Sequence, residues 1–393
     1  MKPVEAKTNY PNKLELISNK TLPITMVDIF YSWAFDEENS RVFIKYVNGF
    51  SVINCSNPSN PVVEGSYVYW DDSFIREMYY FDNKLFVKIG FLHNDITIHV
   101  FDVSDSQSIS KIGEIEDGYL YETYGMYFVE DGNYAIHIGR DAIACINISD
   151  PSLPSIVSTI GYFQFDQDQF GIKRPYCKGL AIHPIEKLFM FALFNFNSYS
   201  GNRVFMFDFT DITNLTRVNF NHPENSYFEY LNDFCYLENN DFKPYLRRNY
   251  QVELLNWSDP LNPIVTTRFS FPDGVNDYSI DKSKNRILAY FRAHNGNTAL
   301  FGLNESNDFI QLSETLADTE GVHSLYAPYF KDDYIYCLDV FEIQTTNHPL
   351  SIWKIVKDNK IRNRNLVIVS TIGALILSTL LIALPKIIKK RRN

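Results

Sequence analysis

Little in this chain is arranged for covalent or redox chemistry. Its five cysteines (Cys55, Cys145, Cys177, Cys235 and Cys337) are odd in number and far apart, and none belongs to a C-x-x-C pair. That spacing excludes the usual zinc and thiol-redox motifs. Cys55, Cys145, Cys235 and Cys337 sit inside apolar runs, where a free thiol packs as a small hydrophobe. Such thiols suit a reducing compartment. No G-x-S-x-G, H-E-x-x-H, G-x-x-x-x-G-K-[S/T] or G-x-G-x-x-G occurs. The signatures of α/β-hydrolases, zinc proteases and nucleotide-binding loops are therefore missing. The eight histidines do not fall at ligand spacing, and His99 and His137 lie in strand-like runs. Asp102/Asp105 and Asp208/Asp211 belong to a repeated turn, which gives them a capping task. Asp166/Asp168 lacks the Gly and the closing Glu of a calcium loop. No catalytic residue, metal or cofactor is expected.

Positive charge is scarce in the body and concentrated at one end. Residues 351–393 hold ten Lys/Arg and one acid, a net of +9, whereas residues 1–350 hold 26 basic and 46 acidic residues, a net of −20. An acidic body repels phosphate backbones, which excludes nucleic acid as a partner. The N-terminal twenty residues contain no apolar stretch of the kind a secretory signal needs. One long apolar run does occur, Leu366 to Leu384, with 19 uncharged residues between basic flanks. At 1.5 Å per residue it reaches about 28 Å, the thickness of a bilayer's hydrocarbon core. A transmembrane helix over 366–384 follows, with a basic juxtamembrane linker at 357–365 and a basic tail at 385–393. The flanks carry five Lys/Arg each, so charge alone does not orient the helix. With Met1 as the start, the protein is tail-anchored and its body is expected on the cytoplasmic side. A missing signal would make the body extracellular. Six N-x-S/T sequons, at Asn19, Asn54, Asn147, Asn214, Asn256 and Asn304, fit that second topology. Four of them also fall in or beside the repeated turn, where Asn and Ser have a separate purpose.

Aromatic residues are abundant, at 16%, and favour strands. The strands repeat. SVINCSNPSNPVVEGSY (51–67), AIACINISDPSLPSIVSTI (142–160) and VELLNWSDPLNPIVTTRF (252–269) share an apolar strand, a Ser-Asp/Asn-Pro turn and a second strand. Weaker copies lie at 96–115 and 203–220, and degenerate ones at 297–314 and 341–356. The turn residues Ser56, Ser104, Ser149, Thr210 and Ser258 are 48, 45, 61 and 48 residues apart, with further turns near Ser306 and His348. The long gap contains an insertion at 161–177. Ahead of each turn stands a hairpin, as in 74–89, 120–138 and 321–340, with DNK, EDGN and KDD at the tips. Four strands per unit and a period of 45–50 residues match the blade of a β-propeller. The fold expected is all-β: seven four-stranded blades over 13–356. The last blade lacks a fourth strand, which KLELIS (13–18) supplies, closing the ring and hiding its edges.

The turns VINCSNPSNPVV, CINISDPSLPSIV and LLNWSDPLNPIV resemble the LVIVD-repeat β-propeller family over roughly residues 13–356. The resemblance implies a cell-surface or membrane-associated propeller whose repeated motif is structural, and it carries over no catalytic residue. The starts of several innermost strands place aromatic beside charged residues: Trp70 with Asp71, Tyr121 with Glu122, Tyr176 with Lys178, Tyr227 and Tyr230 around Glu229, and His323 with Tyr326. In a ring they converge on one face, and aromatics flanked by acids suit partner binding. The function expected is a membrane-anchored, non-catalytic module that presents this face to a protein or glycan. A propeller enzyme (hydrolase or lyase) with a site at the ring mouth, and a surface-layer component, are the alternatives.

Overall fold

The computed structural model describes residues 12–25, 33–46, 49–69, 75–91, 95–116, 125–139, 142–162, 175–183, 185–195, 203–221, 245–248, 251–256, 258–270, 275–281, 286–291, 297–303, 309–313, 325–339 and 347–357. They form seven antiparallel sheets. Strand β1 (Asn12–Thr25) opens the chain. The first sheet comprises β2 (Trp33–Asp36), β3 (Arg41–Tyr46), β4 (Gly49–Asn54) and β5 (Val62–Val68). The second holds β6 (Ile75–Phe81), β7 (Lys84–Phe91), β8 (Asp95–Asp102) and β9 (Ser110–Glu116), and the third β10 (Gly125–Val129), β11 (Tyr134–Ile138), β12 (Ala142–Asn147) and β13 (Ser155–Gly161). The fourth holds β14 (Pro175–Ile182), β15 (Leu188–Asn195), β16 (Arg203–Asp208) and β17 (Thr216–Val218). The fifth shows β18 (Tyr245–Arg248), β19 (Gln251–Asn256) and β20 (Ile264–Ser270), and residues 222–244 ahead of it lie outside the described residues. The sixth holds β21 (Val275–Asp281), β22 (Arg286–Phe291), β23 (Asn297–Leu303) and β24 (Phe309–Gln311). The seventh is built from β25 (Leu325–Lys331), β26 (Tyr334–Asp339), β27 (Asn347–Lys357) and β1.

The N-terminal strand thus fills the fourth place of the last sheet. Leu14 pairs with Ile355 and Leu16 with Trp353. It is longer than the expected 13–18, and its register shifts twice, between Leu16 and Ser18 and between Thr21 and Thr25. One expectation at this sheet is corrected. His348 does not sit in a turn: it lies in β27, the third strand. Because β1 already occupies the fourth place, this sheet needs no turn after its third strand, and the chain can leave there.

The middle strands are apolar on both faces, and their neighbours explain why. Val42 and Ile44 of β3 pack on Tyr336, Leu350 and Ile352 of the seventh sheet, while the intervening Phe43 joins Met78, Leu85 and Val87 of the second. Alternate residues of one strand therefore serve opposite neighbours. Phe86, Ile98 and Val100 meet Met126, Ala135 and Ile146. Ile136, Ile143 and Cys145 meet Leu180, Phe189, Phe205 and Phe207. Leu300 of the sixth sheet meets Ile335, Cys337 and Trp353 of the seventh. A strand covered on both sides reads as a continuous apolar run, as in β4 and β12. The fourth strands, β5 and β9, are largely exposed. The leading strands converge instead: β2 lies against β6, β10 against β14, and β21 against β25.

The repeated turn works as expected within a sheet. Asn54, Asp102, Asn147 and Asp208 each accept the backbone N–H two residues on, at 2.8, 3.0, 3.0 and 2.6 Å. Three residues later, Asn57, Asp105, Asp150, Asp211 and Asp259 repeat the bond at 3.2, 2.9, 3.0, 3.0 and 3.1 Å. The next strand starts directly after Pro61, Pro154 or Pro263.

The same turn also has a task the sequence does not announce. Opposite Val52, Val100, Cys145 and Leu254 the fourth strand carries a bulge. It presents Gly65, Gly113 and Ser158 to the turn of the following sheet. A Cβ on Gly65 would stand 1.8 Å from the Ser106 carbonyl oxygen, and one on Gly113 2.2 Å from that of Pro151. Ser158 keeps its side chain and donates its hydroxyl to the Ile212 carbonyl at 2.6 Å. Ser106, Pro151 and Ile212 hold the same place in successive turns, so the motif that closes one sheet also docks that sheet on its predecessor.

Candidate functional site

The hairpins joining first and second strands gather at one end of the converging leading strands. Two of the expected tips are tight. Asp82 and Asn83 both have positive φ (42° and 57°) between Phe81 and Lys84, and Asp332 (55°) lies between Lys331 and Tyr334. Short polar side chains tolerate that backbone. The EDGN tip forms a 3-10 turn, Glu130–Gly132.

Between these tips lies a cleft of about 650 Å³, lined by leading strands of the seventh, first, second and third sheets. Its walls are aromatic: Trp33 and Phe35 from β2, Tyr79, Tyr80 and Phe81 from β6, Tyr127 and Phe128 from β10, and Tyr329 from β25. These rings brace one another. Phe35 stacks on Tyr329 at 4.2 Å, with Trp33 edge-on to the same ring at 6.2 Å. Phe81 stacks on Phe128 at 4.7 Å. Phe81 also covers Gly132, where a Cβ would stand 1.9 Å from the ring. The rim is acidic, with Glu37, Glu38 and Asp82 exposed.

Ion pairs and hydrogen bonds fix the first hairpin. Asp36, fully buried, accepts from Arg41 at 2.7 and 2.8 Å and from the Asn39 amide N–H at 3.1 Å. Burial alone would push the Asp36 carboxyl up; the Asn39 donors and the Arg41 guanidinium outweigh it and hold the group below the usual carboxylate range. Arg41 then reaches the second sheet, donating to the Val103 carbonyl at 2.7 Å and to Asn83 Oδ1 at 3.2 Å. From the seventh sheet, Tyr329 donates its hydroxyl to Glu37, and Lys331 donates to the Glu37 carbonyl and to Ser40 at 2.6 Å. Arg41 and Lys331 are thereby both bonded to the first hairpin.

The opposite end is where the sequence placed its binding face. Trp70, Asp71, Tyr121, Glu122, Tyr227, Tyr230 and His323 lie outside the described residues. Tyr176 and Lys178 fall in β14, where Tyr176 pairs with Phe194, and Tyr326 falls in β25, paired with Leu338. Toward that end the described side chains include a clamp: Lys45 Nζ donates at 2.8 Å to the carbonyl of Ile75, the first residue of β6. Lys88 and His137 are also buried between the second and third sheets. Burial, helped by the Lys88 charge, pushes the His137 imidazole down to about 3 and keeps it neutral. The residues sequence reasoning passed over are those of the hairpin cleft. Its tips read as ordinary polar turns, and its rings as parts of apolar strands.

Of the insertion at 161–177, Gly161 ends β13 and 175–177 open β14, while residues 163–174 lie outside the described residues, as do Asp166/Asp168 and the apolar run 366–384. Among the described residues no helix is long and apolar enough to cross a membrane. Asp102, Asp105, Asp208 and Asp211 cap their turns as expected. Cys55 and Cys145 are free thiols and, like Cys337, are buried. Burial pushes the Cys55 thiol up to about 12 and the Cys145 thiol to about 11.

No family model matches this sequence. No curated protein matches it either. Its backbone, however, is similar to solved structures. A chain described as "Crystal Structure of Mitotic Checkpoint Complex" is 11% identical, with a TM-score of 0.57 over 91% of this chain and 98% of that one. A chain of "YCF48 bound to D1 peptide" gives 11% identity and 0.54 over 90% and 97%. A putative 6-phosphogluconolactonase from Bacteroides uniformis gives 11% and 0.53 over 73% and 84%. At such identities the likeness concerns the fold, and that fold is a β-propeller.

Proposed function

We propose that this protein is a membrane-anchored, non-catalytic interaction module. Its described sheets are the blades of one closed seven-bladed ring of the LVIVD-repeat type, carried on a helix at 366–384 with the ring on the cytoplasmic side. The observation that carries the interaction reading is the hairpin cleft. Aromatic side chains from four successive sheets, stacked in pairs between sheets at Phe35–Tyr329 and Phe81–Phe128, are ringed by exposed carboxylates. Aromatic anchors in a concave site with a polar rim are the usual hot spots of protein recognition. Two of the similar chains come from structures titled as a complex and as a peptide-bound form, which fits this reading.

Two measurements test it. With tags at residues 1 and 393, protease added to intact membranes is expected to digest the body when it reaches the cytosolic side, and to leave the carbonate-resistant anchor behind. Digestion of the body from outside intact cells would place the ring on the extracellular side and bring the sequons forward. For the cleft, full-length protein carrying Trp33→Ala and Tyr127→Ala is expected to lose at least tenfold in partner capture from native membranes while keeping its melting transition. Unchanged capture would remove the cleft from the interaction.

A further inference from the structure

The chain leaves the ring on the same side as the cleft. Strand β27 runs antiparallel to β26, with Leu350 opposite Leu338 and Lys354 opposite Tyr334. Its C-terminal residues therefore lie beside the Lys331–Tyr334 tip, and the Ile355 amide donates to the Asp333 carbonyl at 2.7 Å. Lys357 closes the strand at the hairpin end. Strand β27 is two places from β25, a separation of about 10 Å. The next eight residues, 358–365, span up to about 27 Å when extended. That span exceeds the separation of β27 from β25, whose Tyr329 lines the cleft.

Their charge suits it. The segment holds Lys360, Arg362 and Arg364 against a single acid, Asp358. The rim offers Glu37, Glu38 and Asp82, while Arg41 and Lys331 are tied to the first hairpin. A guanidinium entering between Trp33 and Tyr127 would gain aromatic faces as well as carboxylates. One such contact already exists at the wall, where the Lys331 ammonium lies 5.9 Å from the centre of the Phe35 ring.

We propose that the hairpin cleft receives the chain's own basic segment 358–365, and that an external partner is one with an Arg/Lys-bearing segment able to displace it. This deepens the interaction reading above and rests on it. Membrane anchoring enters only in that the segment leads toward 366–384.

The test uses full-length protein in nanodiscs, with the photo-reactive residue benzoyl-phenylalanine replacing Glu38 on the rim. Chains of two isotopic compositions are mixed, and cross-linked peptides are identified by mass spectrometry. The expected product joins position 38 to residues 357–365 within one chain, and its yield falls at least tenfold in Lys360→Glu/Arg362→Glu/Arg364→Glu. Cross-links that run only between chains, only to lipid or only to other segments would overturn the proposal. So would a yield indifferent to charge reversal. Carbonate extraction of the same preparation scores the anchor separately: a chain that extracts yet still gives the intramolecular product refutes the anchor and leaves the docking intact. Partner capture by the triple charge-reversed chain scores the interaction reading. Capture that rises is expected, and a cross-link without any captured partner refutes that reading alone.

Discussion

Gly65 and Gly113 occupy the outer strands where a turn of the next sheet presses a carbonyl against the backbone. Their requirement is space. Gly65→Ala or Gly113→Ala is expected to destabilise by about 1–3 kcal/mol, the usual range for overpacking, whereas Ser158→Ala removes only a hydrogen bond and is expected to cost about 1 kcal/mol. Denaturant unfolding of the three variants checks the order. At the first hairpin, Arg41→Ala strands the buried Asp36 and is expected to cost about 3–5 kcal/mol. His137 gives a pH signature. Its folded value, about 3, lies below the ordinary 6.5, so the unfolded chain binds the extra proton. Stability is fully present above pH 6.5 and falls by about 1.4 kcal/mol per unit as pH drops from there toward 3. Asp36 adds its own loss only as pH falls through the ordinary carboxylate value of 3.8 and below. Thermal melts between pH 7 and 4.5 are expected to show the His137 slope, and His137→Met to flatten it.

At the level of elements, the repeated turn was legible because its chemistry is local: an Asx side chain, the amide two residues on, and a proline before the next strand. The four-strand unit was legible from the same repeat, and so was the N-terminal strand, since the last unit lacked a partner. What sequence could not show was non-local. The bulges opposite Val52, Val100 and Cys145 appear only when the neighbouring turn is placed against them. His348 looked like a turn because Asn-His-Pro resembles one, yet β1 already fills the strand that such a turn would serve. Deleting residues 12–18 is expected to expose the edge of β27 and uncover the Leu14 site. Broadened unfolding and self-association in size-exclusion chromatography are the outcomes to look for.

On the scale of the whole molecule, a propeller has two faces, and the described cleft lies at the end opposite the strand starts that the sequence singles out. Aromatic-acidic pairs at the strand starts suggested the face of Trp70, Asp71, Tyr121 and Glu122. The same chemistry is found, in described geometry, at the hairpin face, from which β27 leads toward the apolar run. The hairpin aromatics escaped notice because Trp33, Tyr79, Tyr127 and Tyr329 lie far apart in sequence and become neighbours only when leading strands of different sheets converge. The most direct measurement is therefore a comparison of faces. Full-length protein carrying Trp33→Ala/Tyr127→Ala and full-length protein carrying Trp70→Ala/Tyr121→Ala are assayed side by side for partner capture, each with its melting temperature. A recognition site at the hairpin cleft predicts at least a tenfold loss for the first pair and wild-type capture for the second. Loss confined to the second pair would contradict it and assign recognition to the strand-start face.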